Sequence, residues 1–596
     1  MPDTAPLTAT ARASTWLASL ADALARRDID AATSLFAESC YWRDLVAFTW
    51  DIATFEGRPA IAAMLRERLD ATAPSHWQLE GEASEENGVI ESFFTFETRL
   101  GRGRGVLRLK DGRGWILLTT LQELKGHEER RGPTRDSGVV HGHVPGRESW
   151  KQRREHEAAQ LGRSVQPYCL VVGGGQGGIG LGARLKRLGV SSLIVDQLPR
   201  PGDAWRRRYA SLCLHDVVWY DHLPYIPFPD HWPVYAPKDQ IGDWLESYVK
   251  VMELPYWSST RCTGARFDQG TKTWDVTVER RDETGAVEQL TLRPRQLVLA
   301  TGMSGRPKRP SIPGMESFRG QQHHSAEHPG GAAWKGQRCV VVGSNNSAHD
   351  IAADLVEQGA ASVTMVQRSP TLVARSETLW GSGNRQLYSE DALARGITTD
   401  KADLLVASWP YREMAEQSKP FWRQVRETID AELYRRLAAR GFLFDFGEDE
   451  SGLYMKYVRR GSGYYIDVGA SELVADGTIA LKRGELSHMT ADSLVLNDGT
   501  ALPADLVVWA TGYGPMHEWA AELISPEVAE TVGPCWGYGS GTKYDPGPWE
   551  GELRNMWKPT AQEALWFHGG NLAQSRHYGL YLALQIKARE VGLFDV

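Results

Sequence analysis

The residues best placed to do chemistry in this chain are glycines. A buried-strand pattern, Tyr168-Cys169-Leu170-Val171-Val172, runs straight into Gly173-Gly174-Gly175-Gln176-Gly177-Gly178, and a helical stretch from Ile179 to Leu188 follows. Gly173 permits a tight turn, Gly175 lets the backbone approach a pyrophosphate, and Gly178 allows helix and strand to pack closely. The helix start offers free N–H groups and the positive end of its dipole to phosphate. The next strand, Leu193-Ile194-Val195, ends in Asp196, placed to accept from a ribose hydroxyl. Strand, glycines, helix and acid together predict a dinucleotide site.

A second copy of the theme starts at Arg338-Cys339-Val340-Val341-Val342 and continues through Gly343-Ser344-Asn345-Asn346-Ser347-Ala348 into a helix reaching Leu355. Asn345 stands where the second glycine is expected, which is tolerable if its backbone adopts a conformation Asn visits readily. Ala348 replaces the third glycine and still permits close packing. The next strand, Ser362 to Val366, ends in Gln367-Arg368-Ser369 with no acid. An acid there would repel a 2′-phosphate, whereas Arg368 can pair with one. The second nucleotide is therefore expected to be NADPH.

Two dinucleotide folds in one chain point to FAD plus NADPH, with hydride passing between them. Disulfide reductases of this plan hand electrons on through a CxxC pair. The six cysteines here (40, 169, 213, 262, 339 and 535) are all single, so neither a redox dithiol nor a zinc ribbon is expected. Flavin monooxygenases pass electrons to molecular oxygen and need no such pair. A net charge of −8 argues against nucleic acid as a partner. No apolar stretch is long enough to span a bilayer, and the first residues lack a signal-peptide pattern, so a cytoplasmic location is expected.

These motifs need elements to hold them. At 596 residues the chain should divide into several domains. Residues 1–128 read as helices followed by an antiparallel sheet, an α+β unit. Trp16, Leu17, Leu20, Ala23 and Leu24 recur at helical spacing, and the strand-like segments include Val89 to Phe96 and Trp115 to Leu121. Residues 129–165, polar and glycine-rich, read as a linker. Apolar strands then alternate with glycine turns and helices, the signature of an α/β fold with two Rossmann-like domains. The expected boundaries are 166–330 for the first part of the FAD domain, 331–500 for the NADPH domain and 501–596 for the second part of the FAD domain. A helical, aromatic-rich insertion at about 375–465 is expected to shape the substrate pocket.

Between the two glycine motifs lies Phe318-Arg319-Gly320-Gln321-Gln322-His323-His324-Ser325-Ala326-Glu327-His328. With Phe318, Gly320 and His324 in place it resembles the FxGxxxHxxx(Y/F/W) fingerprint of class B flavoprotein monooxygenases, departing only at His328. Gly202-Asp203-Ala204-Trp205 and Leu212-Cys213-Leu214-His215 resemble the YUCCA-type segment beside the flavin. The turns Ala300-Thr301-Gly302 and Ala510-Thr511-Gly512 match those at which this family crosses between its nucleotide domains.

The resemblance implies a C4a-(hydro)peroxyflavin that gives one oxygen atom to a small organic substrate, at nitrogen or sulfur by preference. Baeyer–Villiger oxidation or oxidative decarboxylation of a 2-oxo acid is the alternative within enzymes. An uncoupled oxidase or a nucleotide-sensing protein is the rival outside this chemistry. The resemblance makes His215, His324 and His328 the catalytic candidates, with cofactor contacts at Trp205, Thr301, Gly302, Thr511, Gly512 and Asn571. Asn571 precedes a long helix whose start could hold the flavin's pyrimidine carbonyl. The first 128 residues resemble the SnoaL/NTF2-like cone fold, with Tyr41, Trp42, Arg43, Asp44 and Trp50 as pocket candidates and a homodimer as the expected use.

Overall fold

A computed structural model describes residues 7–381, 386–537 and 552–593. The N-terminal domain starts with helix α1 (Ala9–Ala25), whose Thr8 side chain accepts from the Ala11 N–H and whose Trp16, Leu17, Leu20 and Leu24 face the core. After α2 (Ile29–Ser34), the strands β1 (Phe36–Leu45) and β2 (Ile52–Glu56) precede α3 (Gly57–Thr72). Four more follow: β3 (Ser75–Glu86), β4 (Val89–Glu97), β5 (Gly101–Lys110) and β6 (Arg113–Leu124). They form one sheet in the order β2-β1-β6-β5-β4-β3, with β1 and β6 parallel.

Glycine makes this sheet curl around its own rings. A Cβ on Gly103 would lie 2.3 Å from the Phe96 ring and one on Gly105 2.3 Å from the Phe94 ring. The missing side chains on β5 are thus replaced by rings from β4, and Trp77 stacks on Phe96 at 4.9 Å. Trp42 and Phe48 meet edge to face at 5.1 Å, closing the interior. The expected pocket residues therefore divide by the two-residue period of β1. Trp42 is fully buried and donates to Thr119 Oγ1 at 2.9 Å. The Asp44 carboxylate accepts from the Phe48 and Thr49 N–H groups and from the Thr119 hydroxyl. Trp50 is half-buried in the turn after β1. Tyr41 and Arg43 point out of the opposite face.

Helix α4 (Trp150–Gln160) ends the polar connection and buries none of its residues. In the first nucleotide unit β7 (Cys169–Val172), α5 (Gln176–Arg187), β8 (Ser192–Val195) and β9 (Tyr256–Trp257) are followed by a small antiparallel sheet. That sheet contains β10 (Thr260–Asp268), β11 (Thr273–Arg281) and β12 (Val287–Leu292), and β13 (Gln296–Leu299) then returns to the main sheet. The main sheet runs Leu565–Phe567, β13, β7, β8, β9, all parallel.

The second nucleotide sheet contains β14 (Gln321–His324), the strand Leu506–Trp509, β15 (Arg338–Val342), β16 (Ser362–Gln367) and the strand Ile479–Arg483, again all parallel. Two expected boundaries are corrected by this pairing. Residues 321–324 and 506–509 belong to the second unit, not to the two parts of the first. Strand patterns alone could not assign them: Leu506–Trp509 is a buried apolar run that looks the same in either sheet, and Gln321–His324 is polar and mostly unburied.

The insertion is helical, as expected, with Thr399–Ala407 and Tyr411–Gln424 among its helices. These two also carry the N-terminal domain. Arg108 of β5 donates to Ser408 Oγ at 2.6 Å and lies 4.2 Å over the Trp409 ring. Tyr41 and Arg43, on the same sheet face, are buried by the chain itself, so this part of the sheet offers no surface to a second copy. The helix Leu572–Glu590 runs between α5 and the N-terminal domain and is buried on nearly every side. Its Arg576 is 1% exposed and holds Asp403 through two hydrogen bonds of 2.8 and 2.9 Å. Among the described residues no helix is long and apolar enough to cross a membrane.

Candidate functional site

Both glycine motifs form the same loop. Gly173 has φ +109, and a Cβ there would sit 2.3 Å from the carbonyl oxygen of Ala300. Gly343 has φ +129 and would meet the Ala510 oxygen at 2.3 Å. Each loop is thus pressed against the Ala-Thr-Gly turn that ends the neighbouring strand. Gly178 packs still closer, its Cβ position 1.9 Å from the Gly173 oxygen. At Gly175 a Cβ would meet no protein atom within 4 Å, so glycine keeps that space open for something other than the protein.

The starts of α5 and of α6 (Asn346–Glu357) are capped by no side chain among the described residues, which leaves their first N–H groups for a ligand. Asp196 follows β8 as expected and accepts from the Gly174 N–H at 2.6 Å and the Leu198 N–H at 2.7 Å. Burial pushes its carboxyl above the usual range. Trp205 donates to Gln176 Oε1 at 3.2 Å, over the first turn of α5. Thr301 Oγ1 is buried without a hydrogen-bond partner, and Gly302 has φ +81.

At the second loop a cavity of about 910 Å³ opens. Gly343, Asn345, Ser347, Ala348, Arg368, Thr511 and Gly512 all line it, so the second motif, Arg368 and the second Ala-Thr-Gly turn converge. Asn345 needs no unusual backbone. Its φ is −95 and its ψ −170, extended like that of Gly175 at −77 and −168, which any residue accepts. Its side chain accepts from Thr371 Oγ1 at 3.2 Å. Arg368 is exposed and makes no ion pair among the described residues, so its guanidinium is available to an anion.

Comparisons with known proteins agree with this geometry. Residues 17–116 match the SnoaL-like domain family, and residues 267–407 match the pyridine nucleotide-disulphide oxidoreductase family. The chain is 27% identical over 361 residues to the probable indole-3-pyruvate monooxygenase YUCCA7 of Arabidopsis thaliana, 60% of this chain and 77% of that protein. It is 32% identical over 221 residues to the indole-3-pyruvate monooxygenase YUCCA4 of Oryza sativa subsp. japonica, 36% of this chain and 50% of the other. Over as much as 60% of its length the chain is thus similar to proteins named as monooxygenases. Its fold is shared with OTEMO solved with FAD and NADP, at TM-score 0.51 and 16% identity over 72% of this chain and 86% of the other.

The monooxygenase fingerprint proves to be a clamp on one strand. Gly320 approaches the Asp505 carbonyl so closely that a Cβ would lie 2.6 Å from it, and β14 then pairs in parallel along Leu506–Trp509. At the far end His324 Nε2 donates to the Gly512 oxygen at 3.0 Å, while its Nδ1 accepts from the Ala326 N–H at 3.1 Å. His324 is therefore the neutral Nε2–H tautomer and fixes the second Ala-Thr-Gly turn. His328 lines neither loop. It is fully buried, 2.9 Å from His323 and stacked on Trp334 at 5.2 Å. His215 is half-buried, with its carbonyl accepting from Trp380 Nε1 at 3.0 Å.

Some site residues carried no sequence signal. Asp350 on α6 accepts from the Tyr209 hydroxyl at 2.7 Å. Burial pushes its carboxyl up to about 6, against the pull of that hydrogen bond and of His215. Lys308 and Trp536 join the cavity wall from segments distant in sequence. Asn571 Oδ1 caps its own helix through the Gln574 N–H at 2.9 Å, and its Nδ2 donates to the Tyr220 hydroxyl at 3.0 Å.

Burial holds His328 neutral, lowering its pKa to about 4. The unfolded chain, with an ordinary histidine near pH 6.5, then binds more protons than the folded one between those values. Stability from this group is full above about pH 6.5 and declines as pH falls toward 4, by about 3 kcal/mol at most. A His328→Phe protein, which keeps the stack on Trp334 and cannot titrate, is expected to lose less thermal midpoint than the parent between pH 6.5 and pH 4.5. Parallel slopes for the two proteins would show that His328 does not carry this titration.

Proposed function

We propose that this protein is an NADPH-driven, FAD-dependent monooxygenase that adds one oxygen atom to nitrogen or sulfur of a small organic substrate. The observation that carries the reading is the pair of matched loops, each with an open, uncapped helix start, and at the second an Arg368 without an ion pair among the described residues. FAD would lie on Gly173, Gly175, Gly178 and Asp196, with Trp205, Thr301 and Gly302 beside it. NADPH would lie on Gly343, Asn345, Ser347 and Ala348, with Thr511 and Gly512 beside it and its 2′-phosphate on Arg368. When bound, the flavin supplies the two-electron and oxygen chemistry that amino acids lack.

The chain's own residues orient and shield. The helix starts of α5 and α6 would bind phosphate through backbone N–H groups. His324 moves no proton in this scheme; its Nε2–H holds the Gly512 carbonyl and with it the turn facing the nicotinamide nucleotide. His215, beside Asp350, is the side chain proposed to face the reacting edge. A second reading is oxidation of a 2-oxo acid, supported by the relatives named indole-3-pyruvate monooxygenases.

The protein as purified should be yellow, with one FAD per chain. Because the Gly175 Cβ position is free of protein atoms, Gly175→Val should fold normally and be colourless. A folded Gly175→Val protein with full flavin would remove FAD from this loop. Arg368→Ala should weaken NADPH roughly tenfold to a hundredfold, the size of one charge-assisted contact, and leave NADH nearly unchanged. Equal losses for both nucleotides would make Arg368 structural.

The activity itself is tested by following NADPH and oxygen consumption over amines, sulfides, ketones and 2-oxo acids. N- or S-oxide formed in step with NADPH supports the first reading, and carbon dioxide from a 2-oxo acid supports the second. Hydrogen peroxide matching NADPH across the whole panel would overturn both.

A further inference from the structure

The N-terminal domain grips the rest of the chain at one unusual point. Arg43, on the outer face of β1, is 1% exposed. Its Nε and Nη2 donate to the two carboxylate oxygens of Glu552 at 3.0 and 2.5 Å, and Nη1 donates to the Ala407 carbonyl. Thr54 Oγ1 adds a bond to the same carboxylate at 2.9 Å. Nη2 also reaches the Tyr578 hydroxyl at 3.3 Å. A buried, forked ion pair fixes direction as well as distance, and removing one partner strands the other charge away from water.

A series of rings leads inward from there. Tyr578 lies flat on Trp557, 4.3 Å between centroids and 11° between planes. Trp557 meets Trp536 edge to face at 5.9 Å. Trp536 donates to the Tyr457 carbonyl at 3.0 Å and forms part of the wall of the 910 Å³ cavity. Simple adhesion between the domains has other anchors: Arg108 on Ser408 and Trp409, and Arg412 on Glu56 at 2.5 Å.

We propose that Arg43 of the SnoaL-like domain is a positioning residue for the nicotinamide nucleotide, acting through Tyr578 and Trp557 on Trp536 in the cavity wall. The domain is then a working part of the oxygenase, not a passenger or a second enzyme. Close-packed rings transmit a shift of one member to the next, because little free volume is available to absorb it. The inference rests on the reading of this cavity as the NADPH site.

The test uses the full-length, flavin-loaded protein and measures flavin reduction against NADPH concentration. Arg43→Met, which keeps the bulk and removes the charge, should raise the KM for NADPH roughly threefold or more while kcat stays within about twofold. Arg108→Met, on the same interface but off the ring series, should leave KM unchanged. Trp536→Phe should raise KM as well, and the Arg43→Met/Trp536→Phe double variant should be no worse than the weaker single, since the two changes act on one wall. Should Arg43→Met fail to fold, Tyr578→Phe removes only the hydroxyl that Arg43 reaches and should move KM in the same direction.

An unchanged KM in Arg43→Met (or in Tyr578→Phe where it stands in), an equal rise in Arg108→Met, or effects that multiply in the double variant would overturn the inference. A wild-type protein that NADPH does not reduce would sink the functional reading, and this inference with it. A normal wild type beside an unaltered Arg43→Met protein sinks only the inference.

Discussion

Close approach between the ends of neighbouring parallel strands governs both halves of the nucleotide-binding region. Where β7 and β13 end side by side, the Ala300 carbonyl occupies the space a Cβ would need on Gly173, and Ala510 does the same to Gly343. The glycines are therefore imposed by the protein's own backbone before any ligand arrives. Gly175 is different, because its missing Cβ leaves open space. One motif thus combines glycines required for packing with a glycine that leaves room for a ligand, and the same loop tolerates Asn345 at the ligand-facing position of the second copy.

The fingerprint around His324 works on the same principle. Gly320 lets β14 come close enough to Asp505 to pair, and His324 ties the other end of that register to Gly512. These contacts hold the second Ala-Thr-Gly turn in the cavity wall. At position 328 the imidazole lies flat against Trp334. Burial keeps it uncharged.

The N-terminal domain is held to the rest of the chain by one face of its sheet. Its cone is closed by Trp42, Phe48, Trp77 and Phe96, and the rings of Phe96 and Phe94 are accommodated by Gly103 and Gly105 on β5. On its outer sheet face Arg43 and Arg108 bind the insertion helices and Glu552. Those helices, expected to shape a substrate pocket, therefore also form the seat of the N-terminal domain.

Local chemistry was legible in the amino-acid sequence. Both glycine loops, the acid after β8, Arg368 after β16 and the cone's helix-and-strand pattern depend on spacing within a few residues, and periodicity records that directly. Tertiary structure alone decided what depends on partners far apart in the chain. Strands 321–324 and 506–509 joined the second sheet because of which neighbours they pair with. Asp350 acquired its raised pKa from burial beside Tyr209, and Asn571 was spent on its own helix cap and on Tyr220. Arg43 reads in sequence as one more polar residue on a strand. It becomes a buried partner of Glu552 only when segments separated by 509 residues meet, a distance across which no local pattern carries information.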